Sequence, residues 1–259
     1  MFMVDLAQSL SGFVVGTIVG LTGVGGGSLM TPLLVLLFGI HPATAVGTDL
    51  LYAAITKSGG TFVHARRGSV DWRITGLLAA GSLPAAFITL LLLKTFAPGG
   101  LGGATRIITF SLGIALVLTA ASLIFRHKLQ RWASSHDQAI PRSPWLTVIV
   151  GVILGTLVTI SSVGAGALGV TALFFLYPRL QALRIVASDL AHAVPLTLVA
   201  GIGHWWLGSV NWQLLGSLLI GSLPGIYLGS HLAAKVSERI LRPMLAGMLI
   251  LVGAKLIAF

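Results

Sequence analysis

Long stretches of this chain contain no charged residue, and they constrain the fold more than any other feature. Residues 6–40, 74–93, 107–125, 145–177 and 205–230 lack Asp, Glu, Lys and Arg, and only 8% of the whole chain is charged. A helix needs about 20 apolar residues to cross the hydrocarbon core of a bilayer. The pattern therefore predicts an all-α polytopic membrane protein.

Composition also excludes several classes of function. The formal net charge is +10, but the basic residues stand at the ends of the apolar runs rather than on one soluble face, so we expect no nucleic-acid partner. The chain has no cysteine, which excludes disulfides and thiol-based metal or haem sites. It has no P-loop, HExxH or Ser-His-Asp arrangement either. We therefore expect no enzyme activity, no cofactor and no metal.

The chain contains two copies of one unit. The segment HARRGSVDW at 64–72 returns as HWWLGSVNW at 204–212, and Gly-Ser-Leu-Pro at 81–84 returns at 221–224. Asp49-Leu50 matches Asp189-Leu190 in the same register. Such self-similarity indicates structural repeats. We assign residues 1–126 to the first repeat, 127–144 to a polar basic linker and 145–259 to the second repeat, all within one membrane domain.

Loop charges predict that the two repeats are inverted. Cytoplasmic loops of membrane proteins are enriched in Lys and Arg, which places the linker inside. Two spans back, the loop at 64–73 carries Arg66, Arg67 and Arg73 and is also predicted inside, whereas its counterpart at 204–212 has no Lys or Arg. With this topology 12 of the 16 Lys and Arg residues face the cytoplasm.

Each repeat begins with a glycine-rich break inside an apolar run, at residues 23–27 and 162–166. Inverted topology requires each of these runs to enter the membrane and return, so we predict a helical hairpin with a glycine-rich tip followed by three transmembrane helices. The rival interpretation is one broken helix that crosses once. That arrangement would make the halves parallel, and the loop charges disfavour it.

Glycine is costly inside a helix, so the breaks need a reason. Irregular backbone at membrane depth persists only where it is buried in protein or lines a polar cavity, and a helix that starts there offers free N–H groups to an anion. The alternative is that the tips are packing hinges, as we expect for Gly12 and Gly16. On the first interpretation the substrate-binding candidates are Thr22, Gly25, Gly26, Gly27, Ser28, Thr48, Lys57, Ser161, Gly164, Gly166 and Ser188.

Few charged residues lie deep inside predicted spans, and we single out Asp49, Lys57 and Asp189. Charged groups within a membrane are costly and usually functional. We expect Lys57 to supply countercharge to an anion and the two aspartates to couple transport to protons. A structural ion pair between the halves is the alternative. His192 is interpreted as a packed residue, and His204 as an interfacial one.

The motifs of both halves together resemble those of one known family. Gly-Leu-Thr-Gly-Val-Gly-Gly-Gly-Ser at 20–28, Val-Gly-Thr-Asp-Leu at 46–50, the segment at 64–72 and Leu83-Pro84 are similar to motifs of the TauE/SafE sulfite exporter family. The resemblance covers nearly the whole chain. It implies a multi-pass protein of the bacterial inner membrane that transports sulfite, sulfonates or other small organic anions.

Together these features predict a proton-coupled secondary anion transporter that works by alternating access. The expected partners are a small anionic substrate, protons and membrane lipid. A passive anion channel and a non-transporting assembly or sensor protein are the alternatives. Sequence leaves open the substrate, the direction of transport and whether the chain forms a homo-oligomer.

Overall fold

The computed structural model describes residues 5–22, 27–96, 105–135, 144–232 and 238–258, and every regular element in these ranges is an α-helix. Four of the described helices are long and apolar enough to cross a membrane, over Trp72–Phe96, Thr105–Phe125, Pro144–Ser161 and Ala182–Trp206. The prediction of an all-α polytopic membrane protein is thereby confirmed. The helices are α1 Leu6–Thr22, α2 Gly27–Leu36, α3 Pro42–Arg66, α4 Trp72–Phe96, α5 Thr105–Ser135, α6 Pro144–Ser161, α7 Ala167–Leu176, α8 Ala182–Trp206, α9 Trp212–Leu232 and α10 Glu238–Ala258.

Helix α5 runs beyond its apolar segment into the region assigned to the linker. It ends at Ser135, about nine residues past the expected boundary at 126. Residues 126–135 contain neither Gly nor Pro, so nothing in this stretch interrupts the backbone hydrogen bonds. Part of the polar linker is therefore a helical extension of the first repeat.

Helices α6 and α7 form a hairpin. Thr147, in the first turn of α6, has its Oγ1 2.6 Å from the hydroxyl of Tyr177, which directly follows α7. The beginning of α6 and the end of α7 therefore lie at the same level. This segment is thus not one broken helix that crosses once. Because α7 has 10 residues, it is about 15 Å long. This arm is shorter than the roughly 30 Å hydrocarbon core of a bilayer, so α7 alone does not cross it.

The helix before each glycine-rich break packs against a helix from the other half of the chain. Helix α1 lies on α9 so closely that a Cβ at Gly12 or Gly16 would approach a backbone carbonyl of α9 to 2.5 Å. Helix α6 makes the equivalent contact with α4, through Gly151 and Gly155. Small residues allow backbones to approach in this way. The expectation that Gly12 and Gly16 serve packing agrees with this contact.

Helices α3 and α8 occupy equivalent places in the two repeats, and they pack against each other in the interior. Gly60 of α3 faces Leu190, near the start of α8, whereas Gly201, near the end of α8, faces Leu51. The two helices therefore run antiparallel. Equivalent hydroxyls also make equivalent contacts, since Thr48 accepts a hydrogen bond from the Asn211 N–H at 3.1 Å, and Ser188 accepts one from the Asp71 N–H at 2.8 Å.

Candidate functional site

The turn between α6 and α7 is held in an irregular, buried conformation. Ser162 has φ 58°, Gly164 has φ 129° and Gly166 has φ 123°, a region that side chains with a Cβ rarely adopt. Gly166 precedes the first residue of α7, and no side chain caps that helix. Ser161 braces the turn instead, because its Oγ accepts a hydrogen bond from the Val163 N–H at 3.2 Å.

Lys57 extends from α3 to this turn. Its side chain is only 7% exposed, and its Nζ donates a hydrogen bond to the Ala165 carbonyl at 3.1 Å. That carbonyl is available because the turn is not helical. Within the described part of the chain Nζ has no hydrogen bond to a carboxylate, although it attracts both Asp189 and Asp49 electrostatically. The sequence-predicted countercharge therefore lies at the second hairpin tip.

Asp189 belongs to α8, and its side chain lies against the beginning of α7. Its side chain is 1% exposed, and the backbone N–H of Gly166 interacts with its carboxylate. The carboxylate also lies against Gly169, where an added Cβ would overlap Oδ1. This oxygen has no hydrogen-bond partner among the described residues. A carboxylate of the protein thus occupies the helix end that the sequence analysis assigned to a substrate anion.

Asp49 approaches the same turn from α3. Its Oδ2 accepts a hydrogen bond from Thr31 Oγ1, on α2, at 2.5 Å. Ser162 lies close to the Asp49 carboxylate, but its buried Oγ makes no hydrogen bond of ordinary geometry with a described group. The turn therefore faces three ionisable groups: Asp49 near Ser162, Lys57 on Ala165, and Asp189 at Gly166.

Some predicted binding residues lie away from this cluster, and others lie outside the described residues. Thr48 and Ser188 direct their hydroxyls to the loops before α9 and α4, away from this cluster. Gly164 and Gly166 are in the turn, and Gly27 opens α2. Gly25 and Gly26 lie outside the described residues, as do the side chains of Thr22 and Ser28. The binding roles given to these residues stay predictions.

Two histidines are packed in the interior. Nε2 of His192 lies 2.8 Å from Ser82 Oγ, as expected for a packed residue. His204 is fully buried, with its Nε2 2.9 Å from the Thr159 carbonyl. The interpretation of His204 as an interfacial residue is wrong, because its side chain is buried against α3 and α6, whereas the neighbouring Trp205 and Trp206 are exposed.

Sequence reasoning did not single out Thr31, Ser162 or the carbonyl of Ala165. Thr31 reaches Asp49 only because α2 packs on α3. The Ala165 carbonyl belongs to an alanine, whose side chain carries no chemistry. Ser162 had a signal, since it opens the small-residue cluster at 162–166.

Comparison with known proteins agrees with the fold. The profile of the family described as sulfite exporter TauE/SafE matches residues 9–256. A Bacillus subtilis protein named probable membrane transporter protein YjnA is 41% identical over 96% of this chain and 98% of its own length. A Methanocaldococcus jannaschii protein named probable membrane transporter protein MJ0441 is 26% identical over 93% of this chain and 91% of its own length. No solved structure matches the chain. The chain therefore belongs to the TauE/SafE sulfite exporter family, a family of membrane transporters.

Proposed function

We propose that this protein is a secondary transporter that moves sulfite, sulfonates or other small anions across the bacterial inner membrane, coupled to protons. Substrate binds at the hairpin tips in the interior and reaches either side by alternating access. Family membership supports the class of protein and, through the family's description, the class of substrate. The cluster of charges at the second tip supports the mechanism.

The buried Lys57 carries the proposal. A lysine inside a membrane protein is costly unless it pairs with an anion or faces a polar path. Here its Nζ donates a hydrogen bond to a neutral carbonyl of an irregular turn rather than to a carboxylate. The cation is therefore positioned beside the start of α7, where backbone N–H groups and the helix dipole also favour negative charge. These two features together suit a small anion.

The two aspartates support proton coupling. With Asp49, Asp189 and Lys57 all ionised the cluster carries one net negative charge, which opposes the entry of an anion. Uptake of a proton by either aspartate removes that charge. Anion binding and proton binding then favour each other, which is the thermodynamic requirement for coupled transport.

The relation between the repeats supports alternating access. Equivalent helices α3 and α8 run antiparallel, and transporters with inverted repeats place their substrate where the repeats meet. We propose that the two repeats are inverted across the membrane and that the hairpins rock against the rest of the molecule. Each tip would then face each side in turn.

Flux measurements on reconstituted vesicles test the proposal. Protein in liposomes should take up labelled sulfite or a labelled sulfonate in a saturable manner that an inward proton gradient accelerates. Lys57→Ala should lower the initial rate by at least tenfold, because the buried countercharge is lost. Lys94→Ala is the matched control, since this exposed lysine lies 3.8 Å from the centre of the Trp206 ring, which is 17 residues beyond Asp189 on α8.

Other outcomes would point to other functions. Rapid flux that neither saturates nor responds to protons would indicate a passive channel. Absence of flux for every anion tested would favour a non-transporting assembly or sensor protein. Wild-type rates in Lys57→Ala would remove this lysine from the site.

A further inference from the structure

We infer that the Asp189 carboxylate and the transported anion are alternative occupants of the same place, the N-terminal end of α7. This inference rests on the proposed function and adds a specific role for one aspartate. It makes Asp189 an internal competitor that must be neutralised before substrate can bind. The affinity for the anion should therefore depend on pH through Asp189.

The contacts of Asp189 carry the inference. Its carboxylate interacts with the Gly166 N–H and lies against Gly169, in the first turn of α7. The N–H groups at a helix start are the ones without partners inside the helix, so they are the groups an anion would use. With Asp189 in place, a second anion would meet like charge at the same donors, and the carboxylate already fills the space against Gly169.

One oxygen of this carboxylate is poorly satisfied. Asp189 is 1% exposed, yet its Oδ1 has no hydrogen-bond partner among the described residues. A buried carboxylate oxygen without a partner is costly, and the cost falls when the group is protonated. A protonated Asp189 would also attract the Gly166 N–H less strongly, because a neutral carboxyl is a weaker acceptor than a carboxylate.

The ionisable groups around Asp189 are few. Helix α3 contributes Lys57, which attracts both aspartates, and Asp49. On α8 itself, His192 is one turn away, with its Nε2 at Ser82 of α4. Where described, α6, the turn at 162–166 and α7 contain no ionisable residue.

Further ionisable residues, among them Asp71 and Arg184, lie near the beginning of α8, which is the half of the helix that carries Asp189. Asp71 precedes α4, and its Oδ1 accepts hydrogen bonds from the N–H groups of Arg73 and Ile74 in that helix's first turn. Arg184 is exposed and lies five residues before Asp189 on α8. Lys57 is therefore the buried cation beside Asp189. When Asp189 is protonated, an incoming anion would replace it as the negative charge that Lys57 attracts.

Asp49 has a different place although the repeat makes it the equivalent of Asp189. Its Oδ2 is held by the Thr31 hydroxyl, on the second turn of α2. It reaches the second tip only through Ser162, not through the donors that open α7. Asp49 should therefore contribute to the charge of the site without competing for the helix end.

The test measures anion affinity against pH for purified protein in lipid nanodiscs. Methanesulfonate is the probe because its own charge does not change over the range used. Wild-type affinity should strengthen as pH falls, by up to about tenfold per unit, because each bound anion brings one proton. Binding in weakly buffered solution should remove that proton from the medium, and a dye would report it.

Two isosteric variants locate the effect. Asp189→Asn should bind methanesulfonate with an affinity that does not vary with pH and should take up no proton. Asp49→Asn should keep the wild-type pH dependence and proton uptake, whatever its absolute affinity. Melting temperatures of both variants would show that they are folded.

The results separate this inference from the proposed function. Binding that is independent of pH in the wild type, or a pH dependence that disappears in Asp49→Asn and persists in Asp189→Asn, would overturn the inference and leave an anion transporter. Failure of methanesulfonate and sulfite to bind at any pH would overturn both. If Asp189→Asn did not fold, proton uptake by the wild type and by Asp49→Asn would still decide.

Discussion

At the scale of single residues, Ser162 combines backbone strain with an unused hydroxyl. Its φ of 58° is unfavourable for a residue with a Cβ, and its side chain is 5% exposed with no regular hydrogen bond to a described group. Strain of this kind costs about 1–3 kcal/mol and is concentrated at functional sites. Ser162 therefore lowers the stability of the fold, and its hydroxyl places a polar atom at the tip.

Two substitutions of Ser162 separate these contributions. Ser162→Gly should raise the melting temperature by relieving about 1 kcal/mol of strain, and it should weaken anion binding because the hydroxyl is lost. Ser162→Ala keeps the strain, so it should weaken binding equally without the gain in stability. Thermal melts and methanesulfonate affinities of both variants provide the measurement. Unchanged affinity in both would exclude the hydroxyl from the site.

Thr31 should matter for stability through Asp49. Its hydroxyl donates the one regular hydrogen bond that this buried carboxylate receives from the described residues. Thr31→Val has nearly the same shape but removes this hydroxyl donor, which should cost about 1–3 kcal/mol of unfolding free energy. Thr31→Ser keeps the donor and should lose much less. Equal melting temperatures for the two variants would contradict the assigned role of this hydrogen bond.

At the scale of helices, the glycines of α1 and α6 set how closely these helices pack against α9 and α4. A Cβ at Gly16 would lie 2.5 Å from the Ser222 carbonyl oxygen, and one at Gly155 would lie 2.4 Å from that of Ser82. Backbone atoms cannot move aside as side chains can, so the helices would have to separate. Overpacking of this kind typically costs about 1–3 kcal/mol.

Gly16→Ala and Gly155→Ala should therefore destabilise the protein by similar amounts. Gly247→Ala is the control, because nothing lies within 4 Å of a Cβ at that position in α10, and alanine improves helix propensity by up to about 1 kcal/mol. Melting temperatures measured in one detergent would test the series. A loss for Gly247→Ala as large as for Gly16→Ala would show that close packing is not the cause.

At the scale of the whole molecule, the antiparallel packing of α3 and α8 has a consequence for topology. The loops after these helices contain Gly68 and Gly208, which have φ values of 65° and 74° and open space around them. Because the helices run in opposite directions, the two loops lie at opposite ends of the bundle. From the loop charges we predict that the end with Gly68 faces the cytoplasm.

Cysteine labelling tests this arrangement directly, since the chain has no native cysteine. A membrane-impermeant thiol reagent added to intact cells should label Gly208→Cys and not Gly68→Cys, and inside-out vesicles should give the reverse. The two positions are well matched, because a cysteine incurs similar strain at both. Labelling of both from one side would contradict the inverted repeats.

Sequence alone determined the class of the molecule and the identity of its charged residues. Uncharged runs of bilayer length required helices in a membrane, because no other use of such runs satisfies the backbone. The rarity of charge within the predicted membrane spans made Asp49, Lys57 and Asp189 conspicuous. The internal repeats were equally visible, because matching segments recur 140 residues apart, such as 81–84 and 221–224.

Tertiary packing alone decided what those residues contact. The hairpin of α6 and α7 brings the Ala165 carbonyl to Lys57 and the start of α7 to Asp189. Neither contact follows from spacing along the chain. Lys57 and Ala165 are 108 residues apart and belong to different repeats, whereas Asp189 and the start of α7 belong to the same repeat but to different helices. Both contacts therefore depend on how the helices pack. Thr48 and Ser188, adjacent to the aspartates in sequence, point to other loops because neighbouring residues on a helix face about 100° apart.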